Sequence, residues 1–144
     1  MRDRLITQGL GFAGLLPFYG AVLGFAYLVD YPQSLSVQGF IIYSLAILCF
    51  LSGALWGQAT QFGGREQILR RVISNGLVIF AVAAVLTAQT MLAAFLLMLG
   101  YLGLLWYERR LDDTEQWYGR LRLQLTVGVV IAHLLYVWLH VKAG

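Results

Sequence analysis

The chain has 144 residues, 60% hydrophobic and only 12% charged, with a mean hydropathy of +0.74. A soluble domain carries about 25% charged residues, and so short a chain cannot hide this much apolar surface in an aqueous core, so composition excludes an ordinary soluble domain and makes lipid the expected solvent. The net charge of +3 is no nucleic-acid footprint, because the basic residues stand in short clusters between apolar runs, and the single cysteine, Cys49, gives neither a disulfide nor a redox compartment.

A membrane-spanning helix needs about 20 mostly apolar residues. Five stretches qualify: Leu10–Val29, Gly39–Gln58, Val72–Ala88, Met91–Tyr107 and Leu121–Val141. The predicted fold class is therefore all-α, a polytopic five-helix bundle forming one transmembrane domain over residues 1–144. No internal repeat or low-complexity tract interrupts it. A cleaved signal peptide is the rival reading of the first stretch, but Leu10–Val29 exceeds the usual apolar length of about 7–15 residues and no small-x-small site follows it.

In the first span, Pro17 removes the hydrogen bond to the carbonyl of Ala13, and with Gly11, Gly14 and Gly20 nearby it predicts a kink. A static kink satisfied by neighbours is favoured over a hinge or a cavity-lining carbonyl. Asp30-Tyr31-Pro32-Gln33-Ser34 ends the span. Gly20-x-x-x-Gly24 there and Gly53-x-x-x-Gly57 in the second span put small residues one turn apart, so that a neighbouring backbone can approach. In the second span Ala46, Cys49, Ser52, Gly53 and Gly57 form a small-residue stripe beside Trp56. Packing within the bundle is favoured over a homodimer seam, with the first two spans touching each other or the fifth.

Gly63-Gly64 marks the next turn. The third and fourth spans are separated only by Gln89 and Thr90, and Val72–Tyr107 is far too long for one crossing, so a tight helical hairpin is expected. The fourth span has no hydrogen-bonding side chain except Tyr101 and its terminal aromatics, which predicts a lipid-facing helix. Asp112-Asp113-Thr114-Glu115 reads as a helix start, with Asp112 as N-cap and Glu115 at the third position.

The fifth span carries the most specific pattern. Arg122, Thr126, His133 and His140 follow at four, seven and seven residues, and at about 100° per residue they share one face. His133 lies near the bilayer midplane, where an ionisable side chain needs a partner or a water-filled cavity. A proton relay, a haem or metal ligand and a polar substrate contact are the functional readings. A neutral histidine bonded to another helix is the structural one and is favoured, with Ser44, Cys49, Ser52 and Tyr19 as candidate partners. Depth places Trp56 beside Arg122, with its ring available to the guanidinium, and turns His133 toward the first span or the outer half of the second. Pro17, Ser52, Trp56, Arg122, Thr126 and His133 thus make up the candidate polar seam, structural or functional.

Nine of the ten basic residues lie at the N-terminus, between the second and third spans, or between the fourth and fifth; Lys142 is the exception. Basic loops remain cytoplasmic, which predicts an inside N-terminus and an outside C-terminus. Trp56, Trp106, Tyr107, Trp117 and Tyr118 then fall at the inner interface, and Tyr27, Tyr31, Tyr136 and Trp138 at the outer one, the level such rings favour. The arginines are expected to meet anionic headgroups, so Arg65, Arg70, Arg71, Arg109 and Arg110 should each tolerate lysine.

Catalytic templates are missing: there is no H-E-x-x-H, no G-x-S-x-G and no glycine-rich phosphate loop. A Ser52 or Ser74 dyad with His133 is disfavoured by depth, and two haem ligands cannot come from His133 and His140, two turns apart on one face. Five helices cannot form symmetric inverted repeats, which weakens a transporter reading. No catalytic residue, metal ligand or cofactor is expected.

Three segments carry a resemblance: Gly14-Leu15-Leu16-Pro17-Phe18; Tyr43 followed after eight residues by Ser52-Gly53-Ala54-Leu55-Trp56-Gly57; and Trp117-Tyr118-Gly119-Arg120-Leu121-Arg122-Leu123-Gln124-Leu125-Thr126. Together they resemble a bacterial and mitochondrial family of unknown function, the one containing transmembrane protein 69 (domain of unknown function 3429). Relatives often open the third helix with Ser-x-x-Pro, where this chain has Ser74-Asn75-Gly76-Leu77. The resemblance implies a five-helix membrane protein and brings no activity. The leading expectation is a small non-enzymatic protein of the bacterial inner membrane, or the mitochondrial inner membrane in a eukaryote, serving as accessory or assembly partner of a membrane complex. Its partners would be the lipid bilayer and a membrane protein or second copy, with no nucleic acid. The alternative is a small transporter or a lipid-, quinone- or haem-binding protein with a pocket between helices one, two and five.

Overall fold

The computed structural model describes residues 2–111 and 116–143. The helices are α1 (Arg2–Ala13), α2 (Leu16–Tyr27), α3 (Asp30–Gln58), α4 (Gly64–Thr87), α5 (Thr90–Leu111) and α6 (Gln116–Ala143), with one 3-10 turn at Ala59–Gln61. No strand occurs among the described residues. Five helical stretches are long and apolar enough to cross a membrane, α1 and α2 together supplying the first. The chain is a multi-pass helical membrane protein.

Local chemistry explains the breaks. Gly14 and Leu15 separate α1 from α2, and Pro17 sits in the first turn of α2, where its missing N–H leaves no gap in the ladder. The end of α1 tightens through Gly14 N–H to Gly11 O and Leu15 N–H to Phe12 O, both 3.1 Å. The carbonyl of Gly14 then accepts the Tyr43 hydroxyl from α3 at 2.8 Å. At the break, a neighbouring helix thus satisfies the carbonyl of Gly14.

Between α2 and α3 only Leu28 and Val29 lie outside helix. Asp30 takes the left-handed conformation (φ 57°), a region that Asp enters more readily than most residues. Pro32 falls in the first turn of α3, so the segment expected to be a loop starts the next helix, well before Gly39. Gln33 helps to anchor it, donating to the carbonyl of Phe25 at 2.9 Å. Gly64 supplies the second left-handed residue (φ 58°) and opens α4, which makes Arg65–Arg71 helical. Ala88 and Gln89 alone connect α4 to α5, the tight hairpin that the spacing predicts. The Asp112–Glu115 capping segment lies outside the described residues.

Laterally, α3 packs between α2 and α4, and α5 packs against α3, α4 and α6, while α6 closes onto α2 and α1. The fourth span is thus the central helix, with Ala93, Ala94, Leu97, Tyr101 and Leu104 all buried, and not the lipid-facing one. The physical reason is that lipid tails are as apolar as leucine, so small side chains that permit close contact decide burial, not the lack of polar groups. The second correction concerns the glycines. Of the four G-x-x-x-G glycines, only Gly24 is at a close approach, since a Cβ there would collide with the Ser36 side chain. Gly20, Gly53 and Gly57 face outward, and a Cβ on any of them would meet nothing within 4 Å.

Candidate functional site

His133 is fully buried on α6. Its Nδ1 lies 2.8 Å from the carbonyl of Val129, one turn earlier, and its Nε2 lies 2.7 Å from Ser44 Oγ on α3. A carbonyl can only accept, so Nδ1 carries the proton, and Nε2 accepts from the Ser44 hydroxyl. This network assigns one neutral tautomer. The carbonyl of Ser44 in turn accepts the Tyr101 hydroxyl from α5 at 2.7 Å. Ser44 was among the partners expected for His133, and Tyr101 joins it from a helix that sequence reasoning had set aside.

Aromatic rings enclose this group. Ring centres of Phe18, Phe40 and Tyr101 lie 5.6, 4.8 and 5.5 Å from the imidazole. Toward the Lys142 end of the bundle, Tyr136 stacks on Phe40 at 4.3 Å and donates to the carbonyl of Val37. His140, only partly buried, rests edge-on against Phe25 and Tyr136 and lies 3.4 Å from the Thr90 hydroxyl.

At 2.7 Å, Ser44 and His133 meet the distance condition for a nucleophile and its base. The rest of a catalytic site does not follow. Both residues are fully buried, and Ser44 sits in the middle of α3, where helical hydrogen bonds consume the neighbouring N–H groups that an oxyanion would need. Both imidazole nitrogens are engaged, so neither is free to ligate a haem or a metal. Among the described residues, no three His, Cys, Asp or Glu side chains converge as a metal site.

The structure divides the rest of the predicted seam. Arg122 and Thr126 are buried on the same face of α6 as His133. Arg122 does not meet Trp56: it forms a two-pronged ion pair with Glu108 of α5, at 3.1 and 3.3 Å. Trp56 instead lies under Arg71 of α4, whose guanidinium carbon is 4.9 Å from the ring centre. Depth alone suggested the first pairing, but α3 and α6 meet through Ser44–His133 and Val37–Tyr136, away from Trp56, and at the arginine-rich end each arginine uses the helix beside it. Ser52 is buried away from His133, its carbonyl accepting the Ser74 hydroxyl, and Pro17 lies on the outer surface. Glu108 was missed by sequence reasoning, although it is an acid at the edge of the fourth span, opposite a basic segment.

Every tryptophan has a cation over its ring. Arg4 lies over Trp117 and Arg110 over Trp106 at the arginine-rich end, as Arg71 does over Trp56; Lys142 lies over Trp138 at the other.

The family model described as "Protein of unknown function (DUF3429)" matches residues 5–138. The chain belongs to the DUF3429 family. The matched region of this DUF3429 protein takes in the whole cage from Phe18 to Tyr136. No curated protein and no solved structure matches the chain.

Proposed function

We propose that this DUF3429 protein is a non-enzymatic protein of the bacterial inner membrane, or of the mitochondrial inner membrane in a eukaryote, acting as accessory or assembly partner of a larger membrane complex. The observation that carries this reading is the closed state of its buried histidine: His133 is fully buried, bonded through both nitrogens and walled by Phe18, Phe40 and Tyr101. A carrier, or a quinone- or haem-binding protein, would need a route to that level, and the stacked rings occupy it. The arginine-rich end faces the cytoplasm, or the matrix in a mitochondrion, with the N-terminus inside and the C-terminus outside; the distribution of basic residues supports this.

Deletion in the source organism followed by complementation tests the proposal. Loss of the chain should lower the abundance of an assembled membrane complex on native gels, and His133→Gln should restore it, because the glutamine keeps a hydrogen-bonding group. A His133→Gln protein that accumulates, folds and still fails would argue for a ligand or proton path through the cage.

A further inference from the structure

Two buried arginines at the arginine-rich end are held in ion pairs within the protein. Arg70 is paired with Glu66 at 2.9 Å and stacked on Phe62, and Arg122 is paired with Glu108. Arg71 differs. No carboxylate among the described residues forms an ion pair with it, and its Nε is buried without an acceptor. One turn further along the α3–α4 seam, the hydroxyl of Ser52 is also buried and unpartnered. A partly buried guanidinium with no counter-charge is complemented by an anion that reaches it from the membrane interface.

Beside Arg71, the outer surface of α3 carries an open track. Gly53 and Gly57 have open space where side chains would stand, and Phe50 and Trp56, 72% and 41% exposed, form its walls. At about 100° per residue, positions 50, 53 and 57 share one face. The track runs from the arginine-rich end toward the middle of the bundle. A cation at one end of an apolar groove complements a molecule with an anionic head and an acyl chain. A second copy fits less well, because a two-fold parallel seam through these glycines would bring two Arg71 side chains toward each other.

We propose that this surface binds one anionic phospholipid, its phosphate on Arg71 beside the Trp56 ring and an acyl chain along the Gly53–Gly57 track. The site is independent of the proposed accessory role.

The test is native mass spectrometry of the full chain released from nanodiscs holding equal mole fractions of phosphatidylglycerol and phosphatidylcholine. The wild-type chain should retain one phosphatidylglycerol, preferred over phosphatidylcholine by about fivefold, the scale set by one basic residue at an anionic surface. Arg71→Gln should bring the ratio near unity, whereas Arg65→Gln, at an exposed neighbouring position, should leave it unchanged. Arg71→Lys, the variant least disturbing to the fold, should keep part of the preference. Gly53→Leu with Gly57→Leu fills open space and should remove the retained lipid without lowering thermal stability. A preference that survives Arg71→Gln would overturn the proposal. So would a lipid-free dimer that becomes monomeric on filling the track, which would assign the surface to a second copy.

Discussion

The Ser44 hydroxyl and Nε2 of His133 lie 2.7 Å apart, bridging α3 and α6 across the centre of the bundle. In lipid, an interhelical hydrogen bond of this kind contributes about 0.6 kcal/mol on average and at most about 1.7 kcal/mol. Ser44→Ala should therefore cost about 0.5–1.5 kcal/mol and His133→Leu about 1–2 kcal/mol in reversible unfolding in mixed micelles. His133→Gln should cost less than His133→Leu. Combining Ser44→Ala with His133→Leu should cost clearly less than the two together, and strict additivity would mean that the pair does not interact.

Glu108 is the counter-charge of a buried arginine, which makes it the most sensitive acid at the arginine-rich end. Glu108→Gln leaves Arg122 bonded but uncompensated, and should destabilise by about 1–3 kcal/mol, below the usual cost of a broken, fully buried pair because Glu108 is partly exposed. Arg65→Lys, by contrast, should be neutral within about 0.5 kcal/mol. Arg70 is set apart from the other loop arginines by its burial and its stacking on Phe62, so Arg70→Lys should be the costliest of the single lysine replacements at Arg65, Arg70, Arg71, Arg109 and Arg110. Equal thermal shifts across that set would contradict the geometry.

The α2–α3 contact depends on Gly24. A Cβ there would fall 2.1 Å from Ser36 Oγ and 2.9 Å from Ser36 Cβ, so rotating the hydroxyl away cannot relieve the clash fully. Gly24→Ala should destabilise by about 1–3 kcal/mol, and adding Ser36→Gly should recover much of that loss. Gly53→Ala and Gly57→Ala meet open space and should be neutral or stabilising by up to about 1 kcal/mol. Equal losses at all three glycines would place the close approach elsewhere.

The proposed orientation is checked by thiol labelling in a Cys49→Ala background. Gln33 is a poor probe site because its amide holds the carbonyl of Phe25, and Gly64 because its φ of 58° strains any other residue. Ser34 and Gly63, both exposed and free of those roles, serve better. A cysteine at Ser34 should react with an impermeant reagent from outside, and one at Gly63 should not. The opposite pattern would reverse the topology.

The sequence displays those features that depend on position along the chain. Span count follows from apolar length, the α4–α5 hairpin from the brief polar interruption at Gln89 and Thr90, and the inward face of α6 from the spacing of Arg122, Thr126 and His133. Lateral order is a different matter. In water, a buried helix is more apolar than an exposed one, but in a bilayer both faces are apolar, and hydropathy says nothing about which helix is central. That is why α5, with its lone midspan tyrosine, reads as lipid-facing and turns out to hold the core together. The same gap misassigned Trp56, because depth selects the residues at one level and only helix order selects among them. Arg71 and Glu108, one on each neighbouring helix, took the two partnerships that depth alone had merged into one.

Whether the cage around His133 is closed can be read directly from the two histidines of the unmodified protein. Diethyl pyrocarbonate acylates accessible neutral imidazole, and peptide mass spectrometry reports each site separately. A closed, internally bonded cage predicts that His140, partly exposed near the Lys142 end, is modified in the folded protein in detergent, while His133 reacts only after unfolding. Modification of His133 at a rate comparable with His140 in the folded protein would reveal a water-accessible path to the centre of the bundle, and would contradict the structural role assigned to it.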